Sequence, residues 1–210
     1  MHKYFIKIPW IVKKFFPNYV WDLNDGTKSI YLSFDDGPHP TITPWVLEEL
    51  EKYNAAATFF CIGKNVALYP EVYKQIVGAG HAVGNHTYQH LNGWETDDKT
   101  YLADIQNASK LIRTGIFRPP YGRIRTRQAR QLKNFPVDGG LRIIMWDVLS
   151  GDFDPSFSPQ HCIQNVQQNV TAGSIIVFHD SEKAFPNLRV ALPATLAFLK
   201  ESGYAMKKME

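Results

Sequence analysis

Strand-like and helix-like segments alternate along almost the whole of this chain, and that alternation limits the fold more than any single motif does. Residues 29–34 are a run of apolar and β-branched residues and read as a strand. Residues 43–53, "TPWVLEELEKY", offer Thr43 as a cap and Pro44 at the first helical position, and they space Val46, Leu47 and Leu50 along one helical face. The pattern then repeats. "AATFF" predicts a strand, 65–78 a helix with a break at Pro70, and "HAVGN" a short strand. Residues 97–113 predict a helix with an acidic start and a basic end, which suits the helix dipole. "GIFRPP" is a strand stopped by its prolines, 126–133 a helix, "LRIIMWDV" a strand, 159–169 a helix, "GSIIVFHD" a strand, 187–201 a helix, and "YAMKKM" a last strand. Strands separated each time by helices predict a parallel sheet with helical crossovers. The expected class is α/β: a barrel of seven to eight strands related to the (β/α)8 form, complete or incomplete, with an open doubly wound sheet as the alternative. In either fold, active groups gather beyond the carboxyl ends of the strands.

A length of 210 residues suits one domain with a sizeable core and is short for two. No repeat, low-complexity tract or linker divides it, and the division expected is an N-terminal arm, 1–28, ahead of one domain, 29–210. A net charge of +3 is too small to argue for a nucleic-acid partner. Cys61 and Cys162 form no CxxC pair and are expected as buried free thiols, which fix no compartment. No apolar run approaches the roughly 20 residues that span a bilayer. The arm holds Lys3, Lys7, Lys13 and Lys14 among aromatic and aliphatic residues, with no acid before Asp22. Packing along the domain is the simpler expectation for it; weak attraction to a membrane surface is the other. It does not read as a clean signal peptide. A cytoplasmic or membrane-surface location is therefore expected, with the cell envelope as alternative, and the chain is expected to be a monomer.

Five clusters of ionisable residues each follow an apolar strand run. Asp35 and Asp36 follow the first strand; "NHTYQH" follows the third; Arg118, Pro119, Pro120 and Tyr121 end the fourth; "WDVLSGDFD" and then His179 and Asp180 end two later ones. All are thereby expected on one rim. His86 and His90 stand four apart, and on a helical turn both rings would project from one face within reach of one ion. With one carboxylate they make a two-histidine, one-carboxylate set, suited to catalytic zinc and also to ferrous iron or other divalent metals. A bound cation would relieve the repulsion between Asp35 and Asp36, one binding it and the other staying free as a base. His179 is expected as a general acid or base, with Asp152 and Asp154, near Trp146 and Asp147, offering carboxylates to orient it. Arg118, held on a stiff backbone, is expected to pair with a carboxylate or an anionic substrate group. His2, His81 and His161 are expected to be structural or surface residues, and Asp180 a helix cap.

The segments "SFDDGP", "HTYQH", "RPPYG", "SGDFD" and "VFHD", in that order, resemble the five motifs of the NodB-homology polysaccharide deacetylases, carbohydrate esterase family 4. The resemblance covers roughly residues 29 to 205. It implies a NodB-like distorted barrel. It also implies Asp35 as the general base, and Asp36, His86 and His90 as ligands of a metal, usually zinc (Zn2+), with Co2+ or Ni2+ as alternatives. Arg118 would position Asp35, the backbone N–H of Tyr121 would help hold the oxyanion, and Asp152 would orient His179, the general acid. The substrate implied is an N-acetylated glycan of the peptidoglycan or chitooligosaccharide type. Alternatives are a related C–N hydrolase such as a deformylase of lipid-linked aminosugars, an O-acetyl esterase of the xylan type, or a glycan-binding protein that has lost catalysis. Ser33 stands where threonine is frequent, Phe153 where tryptophan is common and Val177 where leucine is common. The last two places help line the acyl pocket in the family, so acyl size is open while the chemistry is not.

Overall fold

A computed structural model describes residues 4–137 and 139–209; His2 and Lys3 lie outside the described residues. Its core is one parallel sheet. The strands are β1 (Ser29–Asp35), β2 (Ala57–Cys61), β3 (Ala82–Asn85), β4 (Ile116–Phe117), β5 (Arg142–Ile143), β6 (Val148–Leu149), β7 (Ile175–His179) and β8 (Ala205–Lys207). They lie side by side in the order β5-β4-β3-β2-β1-β7-β6, with β8 paired to the first half of β1 below β2. The sheet curls into a half-barrel with β1 in its interior, the barrel of the two architectures expected.

Every residue of β1 is buried, as a strand covered on both faces requires. Alternation decides which way each one points. Ile30, Leu32 and Phe34 pack outward with α2 (Ile42–Lys52) and α8 (Phe185–Glu201), through Val46, Leu50, Leu188, Leu192 and Leu196. Each such side chain contributes about 1.5–3 kcal/mol of transfer free energy. The other set, Tyr31, Ser33 and Asp35, faces the barrel interior, where Tyr31 meets Phe60, Ile144 and Ile175. An apolar strand thus ends in a carboxylate that its own periodicity sends inward. The helix expected over 65–78 is broken as anticipated, into α3 (Gly63–Leu68) and α4 (Pro70–Gly78), with the proline opening the second.

The structure differs from expectation at "LRIIMWDV", which is two short strands and not one. β5 and β6 are the two edges of the half-barrel, and residues 144–147 cross the seam between them. The carbonyls of Ile144 and Met145 turn to the Arg118 guanidinium at 3.2 and 2.9 Å, which removes them from a ladder. The N-terminal arm fills the seam. The amide of Ile8 donates to Asp147 and that of Leu149 to Ile6, at 3.0 and 2.8 Å, antiparallel to β6. Val20 lies parallel to the end of β5, accepting from Met145 and donating to Ile143. Ile8 and Trp21 are buried with Phe117 and Ile143. Lys7 and Lys13 each reach the buried Asp147 carboxylate at 2.6 Å. Burial alone would favour its neutral form, but hydrogen bonds from Lys13, Lys7 and Ser174 outweigh that and hold its carboxyl below the ordinary range. Asp147 is therefore an anchor for the arm, away from the rim chemistry expected near it. Between its two paired stretches the arm forms a short helix, α1 (Trp10–Phe15).

Candidate active site

Asp35 and His179 are register partners at the ends of β1 and β7, so their side chains leave the same face of the sheet at the same level. Arg118 rises to meet Asp35 from the end of β4. It is fully buried, and Nη1 donates to Asp35 Oδ1 at 2.7 Å and to Ser33 Oγ at 2.8 Å. Its guanidinium also lies over the Phe60 ring, 4.0 Å from the centroid. Ser33 passes the contact on by donating to Ile176 O at 2.9 Å, so the serine found where threonine is frequent still performs this link. With Arg118 fixed on all sides, the Asp35 carboxylate has one orientation.

Asp36 leaves the strand differently. Its φ of +80° swings it out of the extended path, and the turn is held by Asn65 Nδ2 donating to the Asp36 carbonyl at 2.7 Å. Gly37 follows because nothing larger fits: a Cβ there would stand 2.1 Å from an oxygen of Asp180. Asp180 is fully buried and accepts from Gly37 N at 3.1 Å and from the Thr43 hydroxyl. Burial pushes its carboxyl up to about 8. Asp180 is thus a brace under the β1–α2 turn and not the helix cap expected, since α8 opens at Phe185 with Ala184 at the cap position and no side-chain cap.

His86 and His90 converge on Asp36, with Nε2 atoms 3.7 and 3.2 Å from Asp36 Oδ1. They are not on a helical turn. Residues 86–90 form an irregular loop in which Thr87 and His90 have φ of +63° and +59°. Its shape comes from Asp104, a buried carboxylate on α5 (Asp98–Ser109) that accepts from Tyr88 N and Gln89 N at 2.8 and 3.0 Å. The motifs do not point to Asp104. The signal for it is a carboxylate on the apolar face of a helix, three and four residues from Tyr101 and Ala108.

The three donor atoms lie within 4.8 Å of one another, and no other such group occurs among the described residues. The donor chemistry fits a divalent cation. His86 Nδ1 lies 2.7 Å from the Arg118 carbonyl, a contact that only an N–H can make, which leaves the Nε2 lone pair facing Asp36. Burial lowers the His86 pKa to about 4, so the ring is neutral and ready to ligate. For Asp36, burial opposes ionisation, but the His90 hydrogen bond and the fields of His179 and His86 outweigh it and hold the carboxyl well below the ordinary range.

On the other side of the space, His179 Nδ1 meets Asp152 Oδ1 at 2.8 Å while its amide donates to Asp152 Oδ2 at the same distance. Asp152 is fully buried and also accepts from Ser150 Oγ. Burial works against the imidazolium, but Asp152, with smaller help from Asp36 and Asp35, raises His179 to about 9. Asp154, also considered as an orienting carboxylate, does not reach the ring; it accepts from Tyr4 and Ser156. Tyr121 sits in a left-handed turn at φ +59°, with its exposed ring 4.7 Å from that of His90. Phe153 stands edge-on to His179 with centroids 4.9 Å apart, and Val177 is buried on β7 opposite Ser33.

A fixed carboxylate, a charged imidazole and a seat for a cation all open on one space, the equipment of a hydrolase that must activate water and protonate a leaving group. A family model described as polysaccharide deacetylase matches residues 22–139. The chain is 33% identical over 193 residues to a peptidoglycan-N-acetylglucosamine deacetylase of Bacillus cereus, covering 88% of this chain and 87% of that one. It is 35% identical over 189 residues to a chitooligosaccharide deacetylase of Azorhizobium caulinodans, covering 85% and 88%. Its fold is similar to that of the peptidoglycan deacetylase PdaC from Bacillus subtilis, with TM-score 0.77, 28% identity, and 89% and 90% of the two chains covered. The chain belongs to the polysaccharide deacetylase family, the NodB-homology carbohydrate esterases of family 4, and is a hydrolase of carbon–nitrogen bonds other than peptide bonds.

Proposed function

We propose that the protein removes N-acetyl groups from a glycan of the peptidoglycan or chitooligosaccharide type, with Zn2+ held by Asp36, His86 and His90. The observation that carries the reading is the placement of Asp35 and His179 as register partners beside that cation seat, each fixed by its own buried counter-ion. A divalent cation bound there supplies Lewis-acid charge to the acyl carbonyl and to the attacking water. Asp35, held by Arg118, takes a proton from the water as its oxygen adds to the acyl carbon. The backbone N–H of Tyr121 stabilises the developing oxyanion, a contact worth about 2.7–4 kcal/mol for a well-placed donor. His179, kept charged by Asp152, gives its proton to the nitrogen as the C–N bond breaks, so the products are acetate and a free amine. An amide needs that proton because its bare anion leaves poorly. Residues 29–210 form the catalytic unit, and the arm, through Ile6, Ile8 and Val20, closes its seam. The test is a mass-spectrometric screen of the Zn2+-loaded protein against acetylated chitooligomers, peptidoglycan fragments and acetylated xylan. Loss of one acetyl mass from an N-acetylated glycan is expected. Release only from O-acetyl substrates, or from none, refutes the reading.

A second reading concerns the arm. Lys7 and Lys13 are committed to Asp147, so they do not attract lipid. Trp10, Ile11, Phe15 and Phe16 remain exposed beside Lys14, with Arg130 and Lys133 across an adjoining groove. That set supports weak attachment of a monomer to an anionic membrane surface. Trp10→Ser with Phe15→Ser should abolish salt-sensitive co-sedimentation with anionic vesicles; equal binding by the parent and the variant refutes it.

A further inference from the structure

The arm closes the seam and then continues up to the rim. Two residues before Ile6, which pairs along β6, Tyr4 reaches the 151–157 loop that carries Asp152. Its ring packs on Phe153 at 5.5 Å and edge-on to Phe157 at 6.4 Å, and its hydroxyl donates to the Asp154 carboxylate. Phe153 in turn stands edge-on to His179 at 4.9 Å. Lys183 also lies over the Phe153 ring at 5.6 Å. The loop is closed on itself by Asp154 N donating to Gly151 O and by Phe157 N donating to Asp154 O, both at 3.0 Å. A chain of tilted and edge-on ring contacts therefore runs from the N-terminal arm to the imidazole that faces the reacting space.

We infer that Tyr4 is a positioning residue: it backs Phe153, holds that ring edge-on to His179, and so sets how large an acyl group fits beside the imidazole. The inference rests on the deacetylase reading above. Phe153 is half-buried and its ring borders His179, so the direction in which it can yield decides the room left at the site. With Tyr4 in place that direction is blocked. Without it, the ring can tilt into the vacated volume. The contribution is one of packing, because the Phe153 contact is made by the Tyr4 ring and not by its hydroxyl.

The experiment compares kcat/KM on glucosamine oligomers chemically N-acetylated or N-propionylated, for the Zn2+-loaded full chain and three variants. One methylene in an apolar pocket discriminates by about tenfold or more, so Tyr4→Ala should raise the propionyl-to-acetyl ratio by about that factor. Tyr4→Phe keeps the ring and should keep the parent ratio within about twofold. Phe153→Trp added to Tyr4→Ala places a larger ring in the freed volume and should return the ratio toward the parent value. Hydrogen exchange of the 151–157 segment reads the arm–loop contact independently of turnover and should accelerate in Tyr4→Ala. Faster exchange with an unchanged acyl ratio makes the contact purely structural and overturns the inference, as does unchanged exchange. A parent protein inactive on every acylated oligomer refutes the deacetylase reading instead, while exchange still decides whether Tyr4 holds the loop.

Discussion

Arg118→Ala removes the guanidinium that pairs with Asp35 inside the barrel. The guanidinium is fully buried and donates four hydrogen bonds, to Asp35, Ser33, Ile144 O and Met145 O. Alanine leaves a carboxylate that is only 4% exposed without its counter-ion, and two main-chain carbonyls without donors. Breaking a buried pair from one side costs about 3–5 kcal/mol, with water entering the vacated space to satisfy part of the loss. In a domain of this size each kcal/mol moves Tm by about 2–4 °C, so the expected drop is about 6–20 °C. The assay is thermal unfolding of the metal-free protein near neutral pH, run as a cycle with Asp35→Ala. The double variant should unfold above Arg118→Ala, since no charge is then stranded. A Tm within about 3 °C of the parent, or strictly additive losses, would show that the pair is not the mutually neutralising contact described here.

The rim was legible from strand periodicity because a parallel strand buried on both faces has few places for a polar residue, and its carboxyl end is one. Asp35, Asp36, Arg118 and His179 each announced themselves by closing an apolar run. The residues alone offer both Asp152 and Asp154 to His179, the family resemblance singles out Asp152, and Asp152 is the carboxylate that makes the contact. The spacing of His86 and His90 pairs them, but they are not helical. Spacing of four is compatible with several backbones, and the actual one depends on Asp104, eighteen residues from His86 in sequence. The seam was hidden for a similar reason. "LRIIMWDV" is apolar enough for one strand, and only the tertiary demand of Arg118 for two carbonyls, together with the pairing of the arm, breaks it. Composition shows the lysines of the arm but carries no information about their distant partner Asp147.

Asp35 and Asp36, though adjacent, keep separate partners because the backbone sends them apart. Alternation turns Asp35 into the barrel toward Arg118, and a left-handed residue immediately afterwards turns Asp36 toward His86 and His90. The Arg118 residue serves both sides: its guanidinium fixes Asp35 and its carbonyl fixes the His86 tautomer. The Asp35 carboxylate and the Asp36–His86–His90 cluster are thereby set relative to each other through one residue. A substitution that moves the β4 end should disturb both at once, whereas one in the β1–α2 turn should affect Asp36 first.

His86→Ala should lose bound Zn2+ by elemental analysis, while Asp35→Asn should keep it and lose turnover by about 10²–10⁴-fold; full metal retention in the first or parent-like activity in the second contradicts the division of roles. Asp147→Asn should loosen the arm and lower stability at neutral pH by about 1.5–3 kcal/mol, the range for hydrogen bonds to charged groups. Because the folded carboxyl of Asp147 sits below its unfolded value, that difference should be present above about pH 4 and vanish as pH falls through the folded value; a gap that persists in acid would be inconsistent with the pairing. The last expectation joins pH to the leaving group. His179 is raised to about 9, so as the acid it holds its proton through neutrality and loses it on the alkaline side, and kcat/KM on an amide should fall there. A cation at Asp36 cancels that carboxylate's part of the field, which places the limb below 9 in the loaded enzyme, while Asp152, the dominant support, remains. Asp152→Asn should therefore move the alkaline limb to lower pH for an amide and leave hydrolysis of an activated aryl acetate, whose leaving group needs no proton, much less affected. An alkaline limb that stays in place in that variant would mean the falling activity reports some other group, and His179 would not be the proton donor.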